Sequence, residues 1–199
     1  MNWRVKVKAK GADRVLAPLR HQLIDLFPDQ ARVLEVGCGT GSLLMGARHK
    51  IAYGLGIDLD APMIDYATQQ ARKQSCNNIH FSCQDARHFQ HHSEGFHIAT
   101  ATLFLHEVNE HIAIAILDEM LTLAETVVIA DYTRASHWLD RCLIDLDERF
   151  SGHYQQYRHY RRVGEIEHYA EQVNAVIEDK IPSVIDGIAI WTLTRTHSN

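Results

Sequence analysis

The chain has 199 residues, 46% of them hydrophobic and 23% charged, with a formal net charge of −5. That balance excludes a disordered or fibrous chain and is enough for one domain with a real core. The negative charge argues against broad nucleic-acid binding and leaves room only for a local basic patch.

In chain order, the first residues, MNWRVKVKAKGADRVL, alternate cations and lack the apolar run of a secretory signal. Residues 12 to 27 place Leu16, Leu19, Leu23 and Leu26 at helical spacing, and Pro28 and Asp29 end that helix. ARVLEV (31–36) reads as a buried strand, GCGTG as a tight turn and SLLMGARHK (42–50) as a helix. AYGLGID (52–58) is a second strand, APMIDYATQQARKQS (61–75) a helix with Pro62 in its first turn, and NIHFSC (78–83) a third strand. HFQHH (88–92) reads as a solvated loop.

The second half repeats the rhythm. FHIATAT (96–102) and TVVIADY (126–132) are strands, separated by a helix over HIAIAILDEMLTLA (111–124). Helices follow over 137–150 and 164–173, and AVIEDKI (175–181) and GIAIWTLTR (187–195) form a final strand pair. Strands alternating with helices predict an α/β fold with a mostly parallel sheet. No apolar run reaches the ~20 residues of a membrane span. Cys38, Cys76, Cys83 and Cys142 form no C-x-x-C pair, so reduced thiols in a cytoplasmic protein are expected.

VLEVGCGTG is the most informative segment. Gly37, Gly39 and Gly41 permit close backbone approach by a ligand where a first strand turns into a first helix. A dinucleotide loop, G-x-G-x-x-G, asks for a glycine or alanine where this chain has Ser42. Glu35, two residues before the first glycine, suits a cation and repels a pyrophosphate. Asp58 ends the second strand, twenty-three residues after Glu35, where a carboxylate can accept two ribose hydroxyls. A ligand with a ribose, a positive charge and no pyrophosphate fits, and S-adenosylmethionine is one.

On these residues the chain resembles the class I S-adenosylmethionine-dependent methyltransferases. VLEVGCGTG resembles their first motif, GIDLD their second, CQDAR (83–87) their third, FHIATATLFLHEV (96–108) their fourth, and VVIADYT (127–133) their fifth-strand segment. The resemblance implies one domain over residues 1–199 with a three-layer Rossmann-like fold. Its seven-stranded sheet would run 3-2-1-4-5-7-6, with strand 7 antiparallel and helices on both faces. It implies a helical cover from 1–29 and a substrate-covering helical segment over about 134–173. It also implies that Gly37, Cys38 and Gly39 lie against the cofactor's methionine part and that Glu35 holds the loop and the amino group. Asp58 would bind the ribose, Leu59 pack on the adenine, Asp85 accept from the adenine N6 with Ala86 beside it, and Thr102 sit at the methionine end.

LFLHEVNEH (103–111) looks at first like a zinc-protease helix. That pattern needs histidines four apart, about 40° from each other on a helix; His106 and His111 are five apart and would diverge by about 140°. No metal is expected. The stretch instead resembles the L-x-L-H-H-V passage of many small-molecule methyltransferases, with Glu107 in place of the second histidine. It lacks the proline and aromatic motif of enzymes that methylate adenine or glutamine nitrogens. His106 is therefore the first candidate for substrate contact, as base or orienter, with a purely structural role as the other reading. Tyr132, after the fifth strand, lines the pocket or simply packs. In GHYQQYRHYRR (152–162), Tyr154, Tyr157 and Arg158 either wall a substrate pocket or belong to a helix with one packed face. Nucleic-acid stacking, joined by the basic residues Arg4, Lys6, Lys8, Lys10 and Arg14, is a third reading. A small-molecule partner is expected, no membrane partner, and the oligomeric state is open.

Overall fold

A computed structural model describes residues 14–89, 95–134 and 154–196. The helix expected over 137–150, residues 90–92 of the histidine cluster and the basic residues before Arg14 lie outside the described residues.

The elements are α1 (Ala17–Leu26), β1 (Arg32–Val36), α2 (Ser42–Ala47), β2 (Tyr53–Asp58), α3 (Ala61–Lys73), β3 (Ile79–Cys83) and β4 (Phe96–Thr102). Then follow α4 (Glu110–Leu123), β5 (Ala124–Tyr132), α5 (Tyr154–Val163), α6 (Glu165–Gln172), β6 (Ala175–Pro182) and β7 (Ile188–Arg195). All seven strands join one sheet in the order β3-β2-β1-β4-β5-β7-β6. Strands β1 to β5 pair in parallel, and β7 runs antiparallel to both β5 and β6.

The central strands carry the core. Val33, Leu34, Ile98, Ala99, Val127, Val128, Ile129, Trp191 and Leu193 are buried, on neighbouring positions of β1, β4, β5 and β7. Near-continuous apolar runs are what a sheet covered on both faces requires. In α1 the leucine stripe holds only in part. Leu19 and Leu23 are fully buried, whereas Leu26 is 38% exposed. The helix ends at Leu26, and the chain turns extended at Phe27, whose ring takes the core position instead.

Local chemistry sets the other ends. Asp60 caps α3 by accepting from the Met63 N–H at 3.1 Å, and Arg72 and Lys73 sit in its last turn, where cations suit the helix dipole. Gly164 breaks α5 from α6 at φ 117°. At the far edge, Gln22 of α1 both donates to the Pro182 carbonyl at 3.1 Å and accepts from the Val184 N–H at 2.9 Å. Among the described residues, no helix is long and apolar enough to cross a membrane.

The parallel strands all end on one side, at Val36, Asp58, Cys83, Thr102 and Tyr132. This carboxyl edge collects the polar residues singled out above.

Candidate functional site

The glycine loop joins β1 to α2. Gly37, Gly39 and Gly41 all take positive φ, at 68°, 50° and 71°. Their surroundings differ. A Cβ on Gly41 would lie 2.3 Å from the Phe81 ring, and one on Gly37 would lie 2.7 Å from the Phe104 ring. One on Gly39 would meet nothing within 4 Å. Gly39 is thus the point where bare backbone faces open space, as a ligand's close approach requires. Cys38 turns its thiol the other way, towards Gly56 of β2, and is buried. Burial, with Glu35 and Asp58 nearby, pushes that thiol far above its ordinary range, so it is not a nucleophile.

Two carboxyl groups flank the loop. Asp58 Oδ2 accepts from the Gly39 N–H at 2.9 Å and Oδ1 from the Asp60 N–H at 2.8 Å. The strand end therefore shapes the loop and presents a fixed carboxylate beside it. Glu35 is 4% exposed, and its Oε2 has no hydrogen-bond partner among the described residues. Burial pushes its pKa up to about 8, against the pull of Arg20 and the Leu44 N–H. A buried carboxyl with one unsatisfied oxygen beneath a ligand loop is costly to ionise unless something cationic meets it.

Apart from Thr102, the other residues singled out at this edge are apolar or committed. Leu59 is 69% exposed, and Ala86 is buried beside Asp85. Asp85 accepts from the Arg87 Nε at 3.0 and 3.1 Å and from its Nη2 at 2.5 Å, and these bonds hold its pKa down to about 2. An adenine amino group would have to share this carboxylate with Arg87. Thr102 Oγ1 is buried and has no partner among the described residues. Open backbone at Gly39, an orphan oxygen on Glu35 and an orphan hydroxyl on Thr102 fit a ligand with an amino-acid end.

The passage after β4 is a short 3-10 turn over Leu105–Glu107, and His106 in it is 1% exposed. His106 Nδ1 lies 2.5 Å from Asp131 Oδ1. Asp131, at the end of β5, also accepts the backbone N–H groups of Leu105 (3.1 Å), His106 (3.3 Å) and Tyr132 (2.7 Å). This buried carboxylate escaped the sequence reading. The signal was present: an aspartate closing the apolar run VVIA must find donors when buried.

Aromatic rings cover the imidazole. Tyr132 lies 4.6 Å away, Tyr157 6.2 Å and Tyr160 6.3 Å, centroid to centroid. Tyr160 is fully buried and donates to the Tyr132 carbonyl at 2.9 Å. Tyr157 and Tyr160 thus form the packed face of α5, while Tyr154 is half-buried and Arg158 is exposed, 5.7 Å over the Tyr154 ring. His111 is exposed on α4 and does not converge with His106. Glu110, in the first turn of α4, binds His159 Nε2 of α5 at 2.5 Å and His168 Nε2 of α6 at 2.6 Å. Both bonds depress its pKa. No sequence signal joined these three residues.

Residues 33–126 match the family model described as "Methyltransferase domain". A 23S rRNA (uracil(1939)-C(5))-methyltransferase from Alcanivorax borkumensis is 29% identical over 73 residues, 37% of this chain and 16% of that protein. Among solved structures, a SAM-dependent methyltransferase from Aquifex aeolicus superposes with a TM-score of 0.72 at 14% identity, covering 96% of each chain. The mitomycin 7-O-methyltransferase MmcR gives 0.71 at 15% identity, over 92% of this chain and 54% of that one. Those likenesses carry the fold. The matched segment, the glycine loop within it and the sheet order with its antiparallel β7 agree with one another, so residues 33–126 match a methyltransferase domain set in a sheet of that fold.

Proposed function

We propose that the chain transfers a methyl group from S-adenosylmethionine to a small-molecule acceptor by in-line displacement, leaving S-adenosylhomocysteine. One observation carries the reading: the carboxyl edge gathers the open backbone of Gly39, the unsatisfied buried carboxyl of Glu35 and the fixed carboxylate of Asp58 around one loop. In this reading Gly37, Cys38 and Gly39 lie against the methionine part through their backbone. Glu35 answers the amino group and Asp58 the ribose. Leu59 packs on the adenine, Asp85 and Ala86 meet its edge, and Thr102 meets the methionine end.

Bound there, the cofactor supplies a methyl carbon made electrophilic by its sulfonium. The protein's task is to hold the acceptor in line and exclude water. Held by Glu35, Asp58 and the backbone of Gly37 to Gly39, the cofactor would give its methyl group to an aligned acceptor and leave as the neutral thioether. His106 takes a proton from the acceptor where one must leave. Asp131 occupies Nδ1, so any exchange by this ring runs through Nε2. Reaching an imidazole that is 1% exposed means displacing part of the tyrosine cover, which makes Tyr132 and Tyr157 the acceptor's first neighbours. Tyr154 and Arg158 stand at the rim of that cover. The described residues act as one domain, with α1 packed on its core and α5 covering His106.

A small acceptor is favoured by the histidine-bearing turn in place of the proline and aromatic motif, and by likeness to an enzyme named for O-methyl transfer to mitomycin. An RNA acceptor is the second reading, favoured by the ribosomal RNA methyltransferase relative and opposed by the net charge of −5. Calorimetry with S-adenosylmethionine, S-adenosylhomocysteine and NAD tests the site; binding of NAD alone would refute it. Labelled-methyl transfer to panels of small phenols and amines, RNA and protein tests the acceptor class. Label found only in RNA would favour the second reading.

A further inference from the structure

We infer that Phe104 is the residue by which the site tells the charged methyl donor from its neutral product, an inference that rests on the methyltransferase reading above. The Phe104 ring packs directly on the glycine loop: a Cβ built on Gly37 would lie 2.7 Å from its Cγ and Cδ2 and 3.2 Å from its Cβ. Phe104 is half-buried: it packs against the core and leaves part of its surface accessible.

The turn that delivers Phe104 is strained and firmly held. Leu103, just before it, sits at φ 50°, a conformation that costs a leucine energy and persists only where the surroundings impose it. Those surroundings are the end of β5. The Leu103 N–H donates to the Ala130 carbonyl at 2.8 Å, and the Asp131 carboxylate takes the N–H groups of Leu105 and His106. The chain thus holds an unfavourable backbone to present an aromatic side chain between Gly37 and the passage from Thr102 to His106.

Chemistry gives that placement a use. Donor and product share the amino acid, the ribose and the adenine, so Glu35, Asp58 and Leu59 meet both alike. The two differ at sulfur, which is a cation in the donor and a neutral thioether in the product. An aromatic face attracts a cation through its quadrupole, and a neutral sulfur gains only the packing part of that contact. Phe104 stands beside Gly37 and two residues beyond Thr102, two of the four residues assigned to the methionine end.

The test is calorimetric binding of S-adenosylmethionine and S-adenosylhomocysteine to wild type, to Phe104→Leu and to protein carrying fluorinated phenylalanines at position 104. Phe104→Leu should weaken the donor roughly 2- to 30-fold and the product less than about 2-fold. Fluorination keeps the ring's shape and drains its negative face. It should weaken the donor progressively and leave the product unchanged, a readout that stands even if the leucine variant folds poorly. Equal weakening of both ligands, or of neither, overturns the inference while leaving the methyltransferase reading intact. Failure of wild type to bind either ligand overturns both.

Discussion

Asp131 and His106 sit twenty-five residues apart in the chain and form a buried pair, Oδ1 to Nδ1 at 2.5 Å, with both side chains at most 1% exposed. The same carboxylate takes three backbone N–H groups, so it fastens the turn after β4 to the end of β5. Asp131→Ala should leave four donors without an acceptor and cost roughly 3–5 kcal/mol of stability. Asp131→Asn keeps one oxygen and should cost about half as much. Urea unfolding midpoints at unchanged slope measure this; a loss below ~1 kcal/mol would remove the fastening role.

Glu35 gives a pH signature. Its pKa is about 8 in the folded chain against 4.5 as the ordinary value, so from pH 4.5 to 8 the unfolded chain has released a proton that the folded chain retains. Stability is therefore full below 4.5 and declines as pH rises towards 8. Glu35→Gln should remove this decline, gaining up to about 5 kcal/mol over wild type at pH 8–9 and nothing near pH 4. The same variant should weaken S-adenosylmethionine. In wild type, binding below pH 8 should release a proton, visible as a dependence of calorimetric heat on buffer ionisation enthalpy. A stability difference between Glu35→Gln and wild type that stays flat with pH would refute the buried-acid account.

The three loop glycines should separate folding from binding. Gly41→Ala combines φ 71° with a Cβ 2.3 Å from Phe81, and should destabilise by about 2–4 kcal/mol. Gly39→Ala carries only the conformational penalty, roughly 1 kcal/mol, because nothing lies within 4 Å of its Cβ. It should still weaken cofactor binding by tenfold or more, on the order of the steric cost of a methyl in the ligand's place. Thermal melts paired with calorimetry distinguish the two. Equal melting losses would show that the space at Gly39 is not what sets it apart.

Asp58→Ala should abolish detectable cofactor binding, since it removes the proposed ribose acceptor and the partner of the Gly39 N–H together. Asp58→Asn separates the two roles. One amide oxygen can still accept from Gly39 while the exposed Asp60 N–H loses its acceptor, so the melting temperature should fall modestly while affinity falls on the order of 10- to 100-fold. Unchanged affinity in either variant would sink the ribose assignment.

Strand positions were legible because a covered parallel sheet needs unbroken apolar runs, and β4 begins and ends where its pattern does, at Phe96 and Thr102. The glycine loop was legible because glycine takes positive φ at the least cost, and three glycines stand there at alternate positions. What escaped were the partners brought together by tertiary folding. Nothing near His106 in sequence announces Asp131, nothing near Glu110 announces His159 and His168, and Phe104 reads as one more apolar residue until the sheet brings its turn beside Gly37. Leu26 failed for a related reason: helical spacing does not say where the helix stops, and the core took Phe27 instead.

The place of β7 in the sheet bears on how the chain is made. β5 pairs with β4 on one side, but its other edge is closed by β7, which starts at Ile188, 56 residues after β5 ends at Tyr132. At about 5–20 residues per second, a ribosome needs roughly 3–11 s to cover that gap. For that interval a nascent chain presents one edge of VVIADY unpaired, an apolar strand with nothing yet to add to it. Chaperone binding during synthesis should therefore concentrate on β5 and cease once β7 emerges.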